Sequence, residues 1–338
     1  TLSGESMPNR RALILGVTGQ LGSYLAELLL HKGYTVYGMV RRVSADRMER
    51  IRHLEGQLEI LHGDMTDQPS IERALQLSKP QEIYNCAAQS QVGTSFIEPL
   101  HSTDVTGLGA LRLFEAVRTH TSASEHVRIY HASTSEMFGN QPPPQSEATP
   151  FNPSSPYACA KTFAHFCAQM YRRAYGMFIA CGINFNFESE RRSPEFVTRK
   201  ITQGIARIKA GESSILRLGN LAAIRDWSHA EDVARAAWLM LQQPTPDDYV
   251  IASGESHTVQ EFVDLAFSHA SLNSSDYVHI DPQLFRPLDV GNLQGCAAKA
   301  KAVLGWEPTI RFSTLVQRMV EHDLTRAGSP PAHLAGHS

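Results

Sequence analysis

The sequence has few charged residues and no excess of one sign. Of its 338 residues, 19% are Asp, Glu, Lys or Arg, below the roughly 25% of an average soluble protein. The formal net charge is −3, which excludes a protein that binds long nucleic acids through bulk positive charge. No stretch approaches about 18 consecutive apolar residues, so we expect no membrane-spanning segment and no membrane partner.

Cysteine is scarce, and its spacing suggests no pairing. The five cysteines, at positions 86, 159, 167, 181 and 296, form no C-x-x-C motif. An odd count without that spacing speaks against a disulfide framework and against a structural zinc site, and it predicts a reducing, cytoplasmic location. The 15 histidines also lack zinc-site spacing such as H-E-x-x-H, so we predict no metal ligands.

Short apolar runs alternate with segments of helical periodicity in the first half of the chain. The predicted strands are 12–15, 34–40, 58–61, 82–85, 127–131 and 177–181, and the predicted helices are 23–32, 70–77, 106–119 and 155–175. This alternation is typical of right-handed βαβ units, so it predicts an α/β fold with a Rossmann-type, doubly wound parallel sheet.

The alternation breaks near residue 186, which predicts a smaller α+β substrate lobe at the C-terminal end. We expect a nucleotide-binding domain at 11–186 with returning segments near 222–252 and 288–309. The substrate lobe then comprises 187–221, 253–287 and 310–325. Residues 1–10 and 326–338 lack periodic apolar residues, and we expect both to be disordered tails.

A glycine pattern, G-x-x-G-x-x-G, directly follows the first predicted strand. Its residues are Gly16, Val17, Thr18, Gly19, Gln20, Leu21 and Gly22. Glycines in the first βα turn permit a tight turn and let backbone amides approach a pyrophosphate at the helix N-terminus. An ordinary loop is the alternative, but the position after a first strand favours dinucleotide binding.

The end of the second strand indicates which dinucleotide is bound. An acidic residue there would hold the ribose 2′-hydroxyl of NAD, whereas this chain has Arg41, Arg42 and Ser44. Arginine donates two parallel hydrogen bonds to phosphate, so we predict NADP, although both arginines could be surface charges. Asp64 and Met65, after the third strand, are predicted to contact the adenine.

Tyr157 and Lys161 lie four residues apart near the start of a predicted helix, on one helix face. An adjacent ammonium favours the phenolate form of a tyrosine, and Lys161 could also bind the nicotinamide ribose. Such a pair is often surface decoration. It gains weight from Thr134 and Glu136, which follow a predicted strand at the sheet edge where ligands bind.

Glu136 indicates which type of reaction the site would catalyse. Simple hydride transfer at an alcohol needs only a proton donor such as Tyr157. An additional carboxylate beside the tyrosine suits carbon-acid chemistry, because a ketone at C4 of a sugar makes the C5 proton acidic and Glu136 could remove it. Loss of the C6 hydroxyl then gives a 4,6-elimination. The alternative is that Glu136 caps a turn.

The motifs together resemble a known family. They lie at 16–22, 41–42, 85–90, 133–136, 157–161, 196–200, 219–227 and 286–287. In that order they resemble the extended short-chain dehydrogenase/reductases, and the chain looks most similar to the GDP-mannose 4,6-dehydratases over about residues 11–325.

The resemblance implies a role for each matching residue. Thr134, Glu136 and Tyr157 would be catalytic, supported by Lys161. NADP would be contacted by 16–21, 41–44 and 64–65, and by Cys86, Ala87, Ala88, Gln89, Ser90, His101, Tyr157, Lys161, Phe187 and Arg192. Subunits of the family pair through the double-arginine loop, which implies a homotetramer, a dimer of dimers.

Three cofactor positions depart from the family pattern. Leu21 stands where the family has Asp, Phe187 where it has His, and His101 where it has Tyr. The resemblance therefore leaves open a GDP-heptose as the substrate in place of GDP-mannose.

A GDP-sugar brings a diphosphate that needs cations in the second lobe. The predicted substrate-binding residues are Ser90, Thr134, Ser135, Asn186, Glu188, Lys200, Arg225 and Arg286, with Arg191 and Arg217 as further candidate cations. Arg225 and Arg286 are preferred because each lies in a family-like motif.

The sequence thus predicts a lyase that converts GDP-mannose to GDP-4-keto-6-deoxymannose with NADP. A nucleotide-sugar epimerase, reductase or decarboxylase would share every motif except the use of Glu136. A catalytically silent NADP-sensing protein is the third hypothesis, which the intact Tyr157, Lys161 and Glu136 disfavour.

Overall fold

The computed structural model describes residues 10–42, 48–121, 126–285, 287, 288 and 290–327. The predicted site residues Ser44 and Arg286, and the expected tails at 1–9 and 328–338, lie outside the described residues. None of the helices in the described part of the chain is long and apolar enough to span a bilayer.

Seven parallel strands form the main sheet. The described strands of the chain are β1 Arg11–Leu15, β2 Thr35–Val40, β3 Glu59–His62, β4 Glu82–Asn85, β5 Arg128–Thr134, β6 Phe178–Asn184, β7 Asn186–Glu188, β8 Leu216–Leu218, β9 Ile224–His229, β10 Asp248–Ile251, β11 Ser256–Thr258 and β12 Val278–Ile280. The main sheet has the order β10-β6-β5-β4-β1-β2-β3. A second sheet has the order β11-β9-β7, and β8 pairs with β12.

Helices cover both faces of the main sheet. They are α1 Gln20–His31, α2 Gln68–Ser78, α3 Val92–Ile97, α4 Pro99–Thr103, α5 Gly109–His120, α6 Pro156–Tyr175, α7 Val197–Lys209, α8 Ala230–Leu241, α9 Val259–His269 and α10 Phe312–Ala327. Short 3-10 helices occur at Glu49–Leu54, Ser135–Phe138, Ser274–Asp276 and Pro282–Leu284, and π-helical turns at Asp104–Leu108 and Ala300–Leu304.

The apolar runs of the strands explain this layered arrangement. In β1, Ala12 and Ile14 pack with α1 and α8, whereas Leu13 and Leu15 pack with α2, α5 and α6. A strand that is buried on both faces needs apolar residues at every position, which is why β1 has no polar alternation. A separate apolar core lies among α7, α9 and α10.

The strand order creates a crevice between β1 and β4. From β1 the chain continues outward through β2 and β3, and from β4 it continues in the other direction through β5 and β6. Helices on opposite faces diverge at such a switch point, so a ligand site opens at the carboxyl ends of the strands.

The predicted fold class is confirmed, and most element bounds agree within three residues. Three expectations were wrong at their edges. Strands β5 and β6 continue to Thr134 and Asn184, each three residues beyond its predicted end, because the two strands pair with each other up to these residues. Helix α10 runs to Ala327, so the expected tail does not begin at 326. The division into two lobes remains a prediction.

Candidate active site

A cavity of about 500 Å³ opens at the carboxyl edge of the main sheet. Most predicted site residues line it: Gly16, Thr18, Gly19, Gln20, Leu21, Gly22, Arg41, Asp64, Met65, Cys86, Ala87, Ala88, Gln89, Ser90, His101, Thr134, Ser135, Glu136, Tyr157, Lys161, Asn186, Phe187 and Arg192. The volume is within the range of small-molecule and cofactor sites.

The glycine loop forms one end of the cavity. Gly16 has φ +80°, and a Cβ on it would lie 3.0 Å from the backbone of Ala87. A Cβ on Gly22 would lie 2.3 Å from the carbonyl oxygen of Gly16, so no side chain fits there. Helix α1 begins at Gln20, and its unpaired N–H groups and dipole make this end attractive to phosphate.

The end of β2 provides one of the two predicted arginines. Both arginines are exposed, and only Arg41 lies on the cavity wall. Sequence analysis missed Arg50, which also lies on the wall. Its guanidinium donates to the carbonyls of Thr18 at 3.2 Å and Arg191 at 2.6 Å. No sequence spacing distinguishes Arg50 from its neighbours, because only its contacts with residues distant in the sequence place it on the cavity wall.

Asp64 and Met65 lie on the wall where the adenine was predicted. The Asp64 Oδ1 atom already accepts hydrogen bonds from the amide and the hydroxyl of Thr66, both at 2.9 Å. Met65 is buried and packs into the core beneath the cavity. These contacts stiffen the wall, and they leave the other Asp64 oxygen available to a ligand.

The predicted catalytic residues come from three elements, β5, the 3-10 helix Ser135–Phe138 and α6. Thr134 ends β5 and caps the following 3-10 helix, since its hydroxyl accepts from the Glu136 amide at 3.3 Å. Tyr157 and Lys161 lie in the first turns of α6, which Ser155 caps. Thr134, Glu136, Tyr157 and Lys161 are all less than 10% exposed. The fold therefore brings a hydroxyl, a carboxylate, a phenol and an amine to one buried wall.

Burial sets the protonation of the tyrosine and the lysine. Burial, together with the Glu136 charge, raises the pKa of Tyr157 to about 12 against the opposing effects of the Thr134 hydrogen bond and the Arg192 charge. Burial likewise lowers the pKa of Lys161 to about 8. These shifts do not favour the Tyr157 phenolate in the protein without ligands, so the phenolate stays a prediction for the reacting complex. The lysine ammonium lies 5.9 Å from the tyrosine ring centre and donates to the Ala132 carbonyl at 2.6 Å.

The segment after β6 forms the opposite wall. The side-chain oxygen of Asn186 is buried and has no hydrogen-bond partner among the described residues, so it suits a ligand donor. Arg192 lies over the Phe196 ring at 3.5 Å, and its Nε is 3.2 Å from the Glu188 carboxylate. Stacking and the ion pair together hold this cation at the cavity.

Glu188 does not line the cavity, contrary to its predicted contact with the substrate. It is 2% exposed and accepts from the Thr198 hydroxyl at 2.6 Å. Burial raises the pKa of Glu188, while Arg192 and Thr198 favour the carboxylate. Because one oxygen of this carboxylate contacts both Arg192 and Thr198, Glu188 orients Arg192 at the cavity.

Other predicted cations also lie away from the cavity wall. Arg225 is buried and donates to the carbonyls of Ile224 at 2.9 Å and Val290 at 2.8 Å. Lys200 on α7 does not line the cavity, and Arg217 is exposed on β8. Arg191 pairs with Glu27 on α1 instead. Adjacent arginines in a loop can point in different directions: Arg192 lines the cavity and Arg191 pairs with Glu27, which the sequence pattern does not reveal.

Within the described part of the chain, His165, Cys181 and Asp248 form a cluster with metal-ligand geometry. The Arg172 guanidinium lies 2.5 Å from the Asp248 carboxylate and 3.8 Å from the Cys181 sulfur. A bound cation would have to displace this buried arginine, so the cluster does not fit a metal site.

The chain is similar in sequence to a known family of proteins. A family model described as GDP-mannose 4,6 dehydratase matches residues 13–319. The chain is 52% identical to GDP-mannose 4,6 dehydratase 2 of Arabidopsis thaliana, over 95% of this chain and 88% of that protein. It is 44% identical to human GDP-mannose 4,6 dehydratase, over 94% of this chain and 92% of that protein.

Solved structures show the same fold. A UDP-glucose 4-epimerase from Thermotoga maritima superposes with a TM-score of 0.83 at 23% identity, covering 93% of this chain and 99% of the other. A dTDP-glucose 4,6-dehydratase from Bacillus anthracis gives a TM-score of 0.80 at 21% identity, covering 93% of this chain and 96% of the other.

Proposed function

The chain belongs to the GDP-mannose 4,6-dehydratase family, and from this we propose that it converts GDP-mannose to GDP-4-keto-6-deoxymannose with NADP. The observation that carries the proposal is the buried Glu136 carboxylate on the same wall as Tyr157. An alcohol dehydrogenase has no need of this carboxylate in addition to the tyrosine, whereas an elimination requires a base for the C5 proton.

Tyr157 and Glu136 each have one proton to move. Bound NADP+ would supply the hydride acceptor for C4 and the hydride donor for C6, and its positive charge near Tyr157 would favour the phenolate. Tyr157 takes the O4 proton, assisted by the Thr134 hydroxyl. Glu136 takes the C5 proton and delivers it to the departing C6 hydroxyl, which leaves as water. The proton from O4 can then return to C5, so the sum is loss of one water.

We infer NADP as the cofactor from residues at the end of β2. Arg41 lies on the cavity wall, and no carboxylate stands beside it at that strand end. The glycine loop also fits a diphosphate, because it lines the cavity and helix α1 begins there, at Gln20. Ser44 remains a predicted contact.

We infer a homotetramer, and an exposed apolar face supports self-association. Ile97, Leu100, Phe163, Phe166 and Met170 on α3, α4 and α6 are 39–85% exposed. A contiguous apolar patch of this kind marks an interaction surface. A second copy of the chain is the partner that the patch fits, since two copies of α6 can pack face to face. The cytoplasmic location stays a prediction from the cysteine pattern.

The proposed reaction is tested by incubating the protein with GDP-mannose in deuterated water. We expect a product lighter by one water, with a solvent deuteron at C5 and no net formation of NADPH. An unchanged sugar skeleton would refute dehydration and favour epimerisation. Turnover of a GDP-heptose but not of GDP-mannose would change only the substrate.

The role of Glu136 needs a matched control. Glu136→Gln should reduce elimination by roughly 100-fold or more, since a general base typically contributes 10²–10⁴-fold. NADP+ binding should persist. Glu195→Gln changes a carboxylate on the same cavity wall that has no assigned proton, so it should turn over almost like the wild type. Equal losses in both variants would contradict the role of Glu136.

A further inference from the structure

A second polar layer lies directly behind the catalytic wall. Ser133 precedes Thr134 in β5, and its hydroxyl lies 2.8 Å from Nδ1 of His165, one helical turn after Lys161 in α6. Ser133 is 3% exposed and His165 is 1% exposed. A buried polar pair of this kind is costly unless its hydrogen bonds are satisfied, so the bond is a strong constraint on both elements.

Asp248 completes the pair from the neighbouring strand β10. Its carboxylate lies 3.5 Å from His165 Nε2, and Gln169 and Arg172 hold it at 2.7 Å and 2.5 Å. Although burial opposes ionisation, contacts with His165 and Arg172 lower the pKa of Asp248. The Gln169 amide nitrogen also lies 3.2 Å from His165 Nε2, so Asp248 and Gln169 together fix the position of the imidazole ring.

The Ser133 hydroxyl pairs with Nδ1 of His165 in either tautomer. A hydroxyl both donates and accepts hydrogen bonds, so this bond forms whether Nδ1 carries a proton or a lone pair. Ser133 also lines the cavity.

Two side-chain hydrogen bonds therefore connect the catalytic strand to the catalytic helix. One runs from Lys161 to the Ala132 carbonyl at 2.6 Å, and the other runs from Ser133 to His165. They attach at consecutive residues immediately before Thr134. The distance between the Thr134–Glu136 segment and Tyr157 depends on both bonds.

We propose that His165 is a positioning residue that, oriented by Asp248, holds Ser133 and thereby aligns Thr134 and Glu136 with Tyr157. The inference rests on the proposed function for its kinetic consequence, although the hydrogen-bond chain itself does not. Displacement of a reacting group by about 1 Å can cost 10²-fold in rate, so a small shift of the strand end is sufficient to matter.

Kinetics of three variants test the proposal. Ser133→Ala and His165→Phe should each lower kcat by roughly 10- to 100-fold, with the NADP+ dissociation constant and the KM for GDP-mannose changed far less. The double variant should fall no further than the more impaired single variant, because both changes remove one hydrogen bond. His165→Asn, whose amide can replace Nδ1 as the partner of the Ser133 hydroxyl, should recover much of the lost kcat.

Cys167→Ala is the matched control in the same helix. It removes a partly buried side chain that packs in the core two residues after His165 but leaves the Ser133–His165 bond, so stability should fall while kcat stays near that of the wild type. If Ser133→Ala, which removes a single oxygen atom, leaves kcat unchanged in a folded protein, the positioning role is overturned. Additive losses in the double variant would also overturn it.

Nitrogen NMR of ¹⁵N-histidine protein tests the chain independently of turnover. We expect the Nδ1 resonance of His165 to shift in Ser133→Ala, because Nδ1 loses its hydrogen-bond partner. An Nδ1 resonance that is the same in both proteins would overturn the inference even if GDP-mannose is dehydrated. Failure of the wild type to dehydrate GDP-mannose would refute the proposed function, and the Nδ1 resonance would then still decide the hydrogen bond.

Discussion

Replacing Arg41 with alanine separates the two arginines at the end of β2. Arg41 lines the cavity, while Arg42 is exposed and does not. If Arg41 binds the 2′-phosphate that distinguishes NADP from NAD, then Arg41→Ala should weaken NADP+ binding selectively. Arg42→Ala removes the same charge one residue away, and it is therefore the matched control.

The magnitude follows from the exposure of the Arg41 side chain. A hydrogen bond to a charged group contributes about 1.5–3 kcal/mol, and solvent screening places an exposed arginine near the lower end. With about 1.4 kcal/mol for each tenfold change, Arg41→Ala should raise the NADP+ dissociation constant roughly 10- to 30-fold. The dissociation constant for NAD+ should change less than about threefold, because NAD+ lacks the phosphate.

Calorimetric titration of both cofactors at one ionic strength provides the measurement. Salt should weaken NADP+ binding to the wild type more than to Arg41→Ala, since screening acts on the charge that the variant lacks. The reasoning is refuted if Arg41→Ala weakens NAD+ and NADP+ equally. It is also refuted if Arg42→Ala produces the larger loss, because the cavity wall would then not identify the phosphate ligand.

Three further outcomes follow from the structure. Gly22→Ala, whose Cβ would lie 2.3 Å from the Gly16 carbonyl oxygen, should abolish NADP+ binding in a titration, whereas Gly93→Ala, with nothing within 4 Å, should retain it. Burial holds the pKa of Lys161 near 8, against 10.5 in the unfolded chain, so the lysine destabilises the fold below pH 8 and this cost disappears as pH rises to 10.5. Lys161→Met should therefore raise the melting temperature relative to the wild type more at pH 7 than at pH 10, and an equal change at both would contradict this. Phe166→Glu places a charge in the exposed apolar face and should lower the mass measured by light scattering; an unchanged mass would exclude that face as the contact between copies.

The local features of the site could be predicted from sequence because they depend on near neighbours. Gly22 is required by contacts within its own turn, and the Tyr157–Lys161 spacing places both side chains on one face of any helix. A helix start is also local, as the capping Ser155 shows. These signals predicted the cavity's glycine end and most of its catalytic wall.

The positions of charged side chains were harder to predict. Glu188 was predicted at the substrate, but it pairs with Arg192 and does not line the cavity, while Arg50, which no motif marks, lies on the cavity wall. Arg225 belongs to a family-like motif, yet its guanidinium donates to the carbonyls of Ile224 and Val290. The contacts of Arg50 with Arg191 and of Arg225 with Val290 join residues distant in the sequence, and periodicity carries no information about such partners.

The sequence by itself determined the order of strands and helices and the glycine loop, and it named the side chains that we predict to be catalytic. Hydrophobic periodicity, glycine and capping residues act over a few positions, so their consequences follow from local composition. Only the tertiary structure decided which charged side chains face the cavity and how burial alters their proton affinity. Burial raises the pKa of Tyr157 and lowers that of Lys161, because a charge loses its water when distant segments enclose it. The same enclosure places His165 between Ser133 and Asp248, three residues on three elements that meet only in the folded chain.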